Sequence, residues 1–255
     1  MIGTMDGYER SAQLYDLFDT KDNVDFFLHY AAEAGTILEV GAGTGRIAIP
    51  LAEQGIRAVC VEPSPAMRRE FRKKLNMQRH LRDLIEIVPG DAASFTLEHA
   101  FPVVLLSGVF DHFLDRRERL TSLENIVRHL EADGMLVFDL FLGLMTSSSL
   151  SPAGRVRIGD REVRRLVGRQ MMPGKRVKVQ LVFEIYRNAY LVDRVDEESV
   201  VGITTREEVH GLLSEVECCV RREFSDYDFT PYRDGDDLLI VEAAHQPSVE
   251  GSGDA

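Results

Sequence analysis

Two apolar rhythms alternate between positions 22 and 140. Val24, Phe27, Leu28 and Ala31 recur three and four apart, which predicts a helix over 22–34 ended by Gly35. Short continuous apolar runs at 36–40, 56–61, 85–88, 103–106 and 135–140 predict strands buried on both faces. Between them lie a glycine loop, Gly41 to Gly45, and a helix to Gln54 stopped by Gly55. Ser64 and Pro65 read as an N-cap and first helical residue of a helix toward Leu75, and 120–130 reads as another helix. Asp133-Gly134 reads as a turn before the fifth strand. The alternation predicts a parallel sheet covered by helices on both faces.

After Phe141 the rhythm changes. Residues 143–154 are Ser-rich and read as a loop. Pro173-Gly174 marks a turn, and then Val177, Val179, Leu181, Phe183 and Ile185 alternate with polar residues, the period of a strand. A small antiparallel insertion is expected over 155–201, followed by a helix at 205–213 and two closing strands at 216–224 and 238–244. The expected organisation is an N-terminal helical segment (1–34), a core (35–142 and 202–245), the insertion (143–201, on the acceptor side) and a flexible tail (246–255).

Composition narrows the function classes. With 44% hydrophobic residues a full core is available. The formal net charge of −12 makes the chain a poor match to nucleic acid or anionic lipid, so no nucleic-acid partner is expected. No apolar run approaches the roughly 18 residues of a membrane span, and Met1 to Arg10 carries Asp6 and Glu9 with no apolar core, unlike a secretion signal. Cys60, Cys218 and Cys219 form no CxxC pair, which favours a cytoplasmic setting without disulfides or structural zinc, and no metal-ligand spacing is present.

The sharpest segment is Glu39-Val40-Gly41-Ala42-Gly43-Thr44-Gly45-Arg46. A dinucleotide fingerprint would place its third glycine where Arg46 stands, and the Gly-Lys-Ser/Thr ending of a phosphate loop is absent. The E-x-G-x-G-x-G pattern resembles motif I of the class I S-adenosylmethionine (SAM) dependent methyltransferases. The resemblance implies an α/β, Rossmann-like doubly wound fold: a mostly parallel seven-stranded sheet with an antiparallel β insertion after the fifth strand. It implies SAM as cofactor and S-adenosylhomocysteine as product. Glu62, in Cys60-Val61-Glu62-Pro63-Ser64, stands where an acidic residue reads the ribose, and Asp91, in Gly90-Asp91-Ala92, stands where one reads the adenine. The cofactor set it implies is Tyr15, Glu39, Gly41, Ala42, Gly43, Arg46, Glu62, Pro63, Met67, Asp91, Ala92 and Ser107.

Three further stretches resemble one small-molecule subgroup that includes aminosugar N-methyltransferases. They are Gln13-Leu14-Tyr15-Asp16, expected in a helix that closes over SAM; Ser107-Gly108-Val109-Phe110-Asp111-His112-Phe113, expected beside the transferring methyl; and Ile203 to Glu208. Tyr8, Phe110 and His112 are the expected acceptor-side residues, with His112 and Asp111 as the candidate catalytic pair. Tyr8 and Tyr15 also read as packing residues, Met67 as core, and His112 as a structural histidine. The chain departs from the subgroup at Glu215-Val216-Glu217, where Gly-Phe or Gly-Leu is usual. The run Arg68, Arg69, Arg72, Lys73 and Lys74 reads as the solvated face of a helix.

The implied activity is methyl transfer to a small-molecule acceptor, at nitrogen or oxygen, with homodimerisation compatible. A non-catalytic SAM-binding scaffold is the alternative. A nucleic-acid methyltransferase is disfavoured because the Asn/Asp-Pro-Pro-Tyr/Phe motif is missing after the fourth strand. Finally, Arg155, Arg157, Arg161, Arg164, Arg165, Arg169, Lys175, Arg176 and Lys178 reverse the sign of charge locally. They read either as a solvated antiparallel surface or as a grip on an anionic acceptor group.

Overall fold

The computed structural model describes residues 8, 10–18, 23–143 and 146–246. Asp22, the expected start of the first long helix, and 247–255 of the tail expected at 246–255 lie outside them, as do 1–7, 9 and 19–21 of the N-terminal segment. In chain order the elements are α1 (Ala12–Tyr15), α2 (Val24–Ala34), β1 (Thr36–Val40), α3 (Ala48–Glu53), β2 (Arg57–Glu62), α4 (Pro65–Met77), β3 (Ile85–Pro89), β4 (Phe101–Leu106), α5 (Arg116–Val127) and β5 (Leu130–Phe141). Then come β6 (Ser148–Ile158), β7 (Arg161–Met172), β8 (Arg176–Arg187), β9 (Tyr190–Gly202), α6 (Arg206–Glu215), β10 (Cys218–Phe224) and β11 (Leu238–His245).

Seven strands form one sheet in the order β10-β11-β5-β4-β1-β2-β3. Strands β1 to β5 run parallel, while β11 pairs antiparallel with β5 and β10 antiparallel with β11. This is the α/β sheet the alternation of elements predicts. Its strands are continuous apolar runs because successive side chains enter opposite cores. Leu38, Val104, Leu106, Leu136, Phe138 and Val241 face one core, which includes Leu123 and Ile126 of α5 and Leu212 of α6. Ile37, Val103, Leu105, Val137 and Ile240 face the other, which includes Phe26 and Phe27 of α2, Leu51 of α3 and Phe71 of α4.

Strands β6 to β9 form a separate antiparallel sheet in sequence order. Leu181, Phe183 and Ile185 of β8 share one face and pack with Val163 of β7 and Val195 of β9 against Leu14, Leu17 and Phe18 of the N-terminal segment. Among the described residues no helix is long and apolar enough to cross a membrane.

Four boundaries differ from the sequence reading, each for a physical reason. Residues 148–154 are strand, not loop: β6 is an exposed edge strand with two register shifts, so no hydrophobic alternation marks it. Asp133-Gly134 is no free turn but a bulge inside β5, where Leu130 pairs with Phe101 and Met135 with Val103. Helix α5 starts four residues earlier than expected. Asp115 accepts from Glu118 N–H at 3.0 Å, and the Glu118 carboxylate accepts from Leu114 N–H at 2.8 Å, a reciprocal cap outside the apolar periodicity. At the Glu215-Val216-Glu217 departure, Glu217 takes the left-handed turn at φ 56° that glycine usually fills, which delays β10 to Cys218.

Between β1 and α3 the glycine loop is held by packing as well as by backbone. Gly45 has φ 81°, and a Cβ there would stand 2.2 Å from the Phe71 ring. Gly45→Ala is expected to lower the unfolding free energy by about 2–4 kcal/mol, from left-handed strain plus overpacking. Chemical denaturation measures this, and a loss below about 1 kcal/mol would mean that Phe71 moves aside freely.

Candidate cofactor and acceptor site

The site lies where β1, β2 and β4 end. Gly41 and Ala42 donate their N–H groups to Val61 O at 2.7 and 3.2 Å, which folds the loop back onto the end of β2. A Cβ on Gly41 would meet Val109 at 2.4 Å, whereas nothing lies within 4 Å of one on Gly43. Gly43 therefore borders open space, and its N–H donates to Glu62 Oε2 at 2.8 Å. Ser64 N–H donates to the other oxygen, Oε1, at 2.7 Å. The Glu62 carboxylate is buried, and burial raises its pKa against those two hydrogen bonds. Each oxygen keeps a lone pair, so the group can accept two more donors, as a ribose diol offers.

Glu39, two residues before the loop, is also buried. Burial pushes its carboxyl up to about 8, with Arg46 and the Ala48 N–H opposing. Its Oε2 has no partner. An orphaned buried acceptor beside a glycine loop fits the ammonium group of an amino-acid moiety. Arg46 donates to Asn23 Oδ1 and, at 2.9 Å, to Ser107 Oγ. Asn23 donates to Ser107 Oγ at 3.0 Å, and Ser107 donates to Asp139 Oδ2 at 3.1 Å. Tyr227 O–H and Gly108 N–H complete the shell around Asp139, at 2.9 and 2.6 Å. Burial raises the Asp139 pKa in spite of them.

The N-terminal segment covers the loop. Thr44 O–H donates to Asp16 Oδ1 at 2.7 Å, and Lys74 of α4 donates to Thr44 Oγ1 at 2.9 Å while pairing with Asp16. Tyr8 and Tyr15 meet edge to face at 5.4 Å and pack on Ala66 and Met67. On its far side Tyr15 donates to Glu197 of β9 at 3.1 Å. The segment is thus clasped between the core and the insertion. Two residues of the basic run on α4 turn inward: Lys74, and Arg68, which donates to the Glu62 carbonyl. That run is not a solvated face alone.

At the end of β4, Gly108 has φ 66° with nothing within 4 Å of a Cβ. His112 follows in the 3-10 turn Phe110–His112. The residue is exposed, and desolvation by the surrounding protein lowers the imidazole pKa below 6.5, favouring the neutral form. Asp111 Oδ2 accepts from Phe141 N–H at 3.1 Å, and Oδ1 is buried without a partner. Burial, aided by the Asp139 charge, pushes the Asp111 carboxyl up to about 7.

Not every expected residue reaches the open space. Phe110 is a core residue, not an acceptor contact: its ring is fully buried, stacked on Phe138 at 4.9 Å and edge-on to Phe113. Met67 is buried under the two tyrosines. Ala42 is buried, and Pro63 only spaces Glu62 from Ser64. The Asp91 carboxylate closes its own turn, accepting from Ala93 N–H at 3.0 Å and Ser94 O–H at 2.8 Å. The Ala92 carbonyl is taken by Asn125 at 3.0 Å. In the basic stretch, Glu162 gathers Arg155, Arg157 and Arg164, Asp160 pairs with Arg187, Asp115 with Arg176, and Glu198 with Lys178. Most of that stretch is thus committed to local ion pairs.

Asn23, Asp139, Tyr227 and Glu197 take part in these contacts, and none of them stands among the sequence candidates. Only Asp139 carries a clear signal, as a charge inside the apolar run 135–140.

Comparison with known proteins adds the following. Residues 38–136 match the family model described as "Methyltransferase domain". The cypemycin N-terminal methyltransferase of a Streptomyces species is 34% identical over 113 residues, 44% of this chain and 44% of that protein. The match thus spans less than half the length of that relative. Among solved structures, the CcbJ methyltransferase of Streptomyces caelestis superposes with a TM-score of 0.78 at 18% identity, over 93% of this chain and 97% of that one. The sugar N-methyltransferase KedS8 of Streptoalloteichus sp ATCC 53650 superposes with a TM-score of 0.72 at 21% identity, over 91% and 92%.

The raised Glu39 carboxyl has a consequence for stability. Its contribution is complete below pH 4.5 and is lost as pH rises toward 8, because the unfolded chain ionises freely while the folded one does not. Glu39→Gln is therefore expected to gain on the wild type by about 2–4 kcal/mol between pH 5 and pH 8. Denaturation at the two pH values measures it, and a difference that does not change with pH would place Glu39 in the ionised state throughout.

Proposed function

We propose that this chain, with a methyltransferase domain over residues 38–136 and the fold of the SAM-dependent methyltransferases, moves the methyl group of SAM to a nitrogen of a small-molecule acceptor. The observation that carries the reading is the Glu62 carboxylate, anchored by Gly43 N–H and Ser64 N–H beside the open space at Gly43. When bound, SAM supplies an electrophilic methyl on its sulfonium, so the protein's task is to bind, orient and exclude water.

Glu62 holds the ribose hydroxyls. The unpaired Glu39 Oε2 offers an acceptor to the amino group of the methionine moiety, and the Arg46 guanidinium offers a cation to its carboxylate. Ser107, fixed by Asp139, sets the Arg46 guanidinium in place. Tyr8 and Tyr15 close the site. A nitrogen acceptor must shed a proton, and His112, neutral by virtue of its lowered pKa, is suited to take it on an imidazole nitrogen. Asp111 supports the turn from beneath through Phe141 N–H. The nitrogen reading also draws on its relatives, one an N-terminal and one a sugar N-methyltransferase by name.

Two variants separate binding from chemistry. Glu62→Gln is expected to weaken SAM binding by about 1–3 kcal/mol, as a charged acceptor becomes neutral. Calorimetry reads this, and unaltered affinity would mean that the ribose is held elsewhere. His112→Ala is expected to keep SAM affinity and lower kcat by about 100-fold or more. In the wild type, kcat should fall on the acid side with an apparent pKa below 6.5. Full turnover by the variant on an amine acceptor would return His112 to a structural role.

A further inference from the structure

The connection between β10 and β11 belongs to no strand or helix, yet it is fastened along its length. Asp226 Oδ1 accepts from Asp228 N–H at 2.9 Å and from Thr230 N–H at 3.0 Å. Ser225 N–H donates to Thr230 O at 2.9 Å, and Pro231 bridges back to Phe224. Phe229 takes the left-handed φ of 64°, and its ring lies 4.6 Å from Phe26 and 4.9 Å from His29, both on α2. Strain of this kind persists only where the surroundings fix it. Two residues earlier stands Tyr227. Its ring packs on Phe26 and Phe27 at 5.7 and 6.2 Å, and its hydroxyl donates to Asp139 Oδ2 at 2.9 Å.

From Tyr227 a directed chain of hydrogen bonds runs to the glycine loop. Ser107 Oγ accepts from Arg46 at 2.9 Å and from Asn23 at 3.0 Å, which uses both of its lone pairs. Its one proton therefore goes to Asp139 Oδ2, at 3.1 Å. Tyr227 is the second donor to that same oxygen, and Gly108 N–H occupies Oδ1 at 2.6 Å. Burial, then the Asp139 charge, raises the Tyr227 pKa, so the phenol stays a donor. Each member of the chain is thus satisfied in one direction only, and a network of this kind fixes orientation as well as position. Resting on the cofactor reading above, we infer that Tyr227 is a positioning residue: through Asp139 and Ser107 it holds the Arg46 guanidinium in the orientation that takes the carboxylate of the methionine moiety. Tyr227 reaches no ligand itself in this arrangement. Its contribution is to lock Asp139, which is shared between the exit of β4 and the connection after β10.

Calorimetry with two probes tests this on the wild type, Tyr227→Phe, Ser107→Ala and the double variant. S-adenosylhomocysteine carries the amino and carboxylate groups; methylthioadenosine shares its adenine, ribose and thioether and lacks both. Phenylalanine keeps the ring against Phe26 and Phe27 and removes only the hydroxyl. The expected result for Tyr227→Phe is a loss of about three- to tenfold for S-adenosylhomocysteine, with methylthioadenosine within about twofold of the wild type. In the Ser107→Ala background the chain to Arg46 is already cut, so Tyr227→Phe should add no further loss. The ligand comparison decides on the single variant alone. Equal losses for both probes would make Tyr227 a structural residue and overturn the inference, as would unchanged affinity for both or a fully additive loss in the double variant. A wild type that binds neither probe would overturn the cofactor reading itself, and the inference with it.

Discussion

The site depends on one buried carboxylate that holds two strand exits together. Glu62 ends β2, yet its oxygens accept from Gly43 in the loop after β1 and from Ser64 at the start of α4. A parallel sheet offers backbone N–H groups at the carboxyl ends of its strands, and an acid placed there satisfies them while drawing adjacent loops together. The arrangement has a cost, visible in the raised pKa of Glu62. It is maintained because the two N–H donors are fixed by secondary structure: Gly43 by the turn leaning on Val61 O, and Ser64 as the cap that accepts from Met67 N–H. The glycines follow from the same constraint. Gly41 and Gly45 leave no room for a Cβ against Val109 and Phe71, while Gly43 faces open space.

Around this anchor the molecule concentrates buried acids. Glu39, Asp139, Asp111 and Glu197 all have raised pKa values, with burial the largest cause in each. Their partners are largely backbone N–H groups and hydroxyls, with Arg46 the cation set among them. Such a space suits a ligand that brings positive charge with it. The basic stretch of the insertion is organised in the opposite way, with exposed arginines matched to acids across and along strands. Exposed pairs of that kind contribute little to stability, and they keep the outer face of the sheet solvated.

The parts of this arrangement that were readable from sequence are those written locally. The strand runs, the glycine loop and Ser64-Pro65 each carry their signal within a few residues, and the central sheet follows from their alternation. Glu62 and His112 stand out as candidates because they sit at strand exits next to recognisable segments. The rest is written across distance. Tyr227 reaches Asp139 over 88 residues and Tyr15 reaches Glu197 over 182, and no local pattern announces either. Glu197 sits in the run Asp196-Glu197-Glu198, which reads as solvated, and only the pleat turns the middle residue inward. Phe110 misled in the other direction. Its place after a strand suggested the acceptor, whereas an aromatic ring beside Phe113 and Phe138 gains more from burial in the core.

The central claim is that the loop at Gly43 and the carboxylate of Glu62 form a site for a sulfonium nucleoside and not for a dinucleotide. Titration of the full chain with SAM and, separately, with NAD tests it most directly. The account predicts one SAM bound per chain and no measurable NAD binding at the same protein concentration. NAD binding tighter than SAM would contradict it, because Arg46 would then occupy the glycine position of a working dinucleotide site.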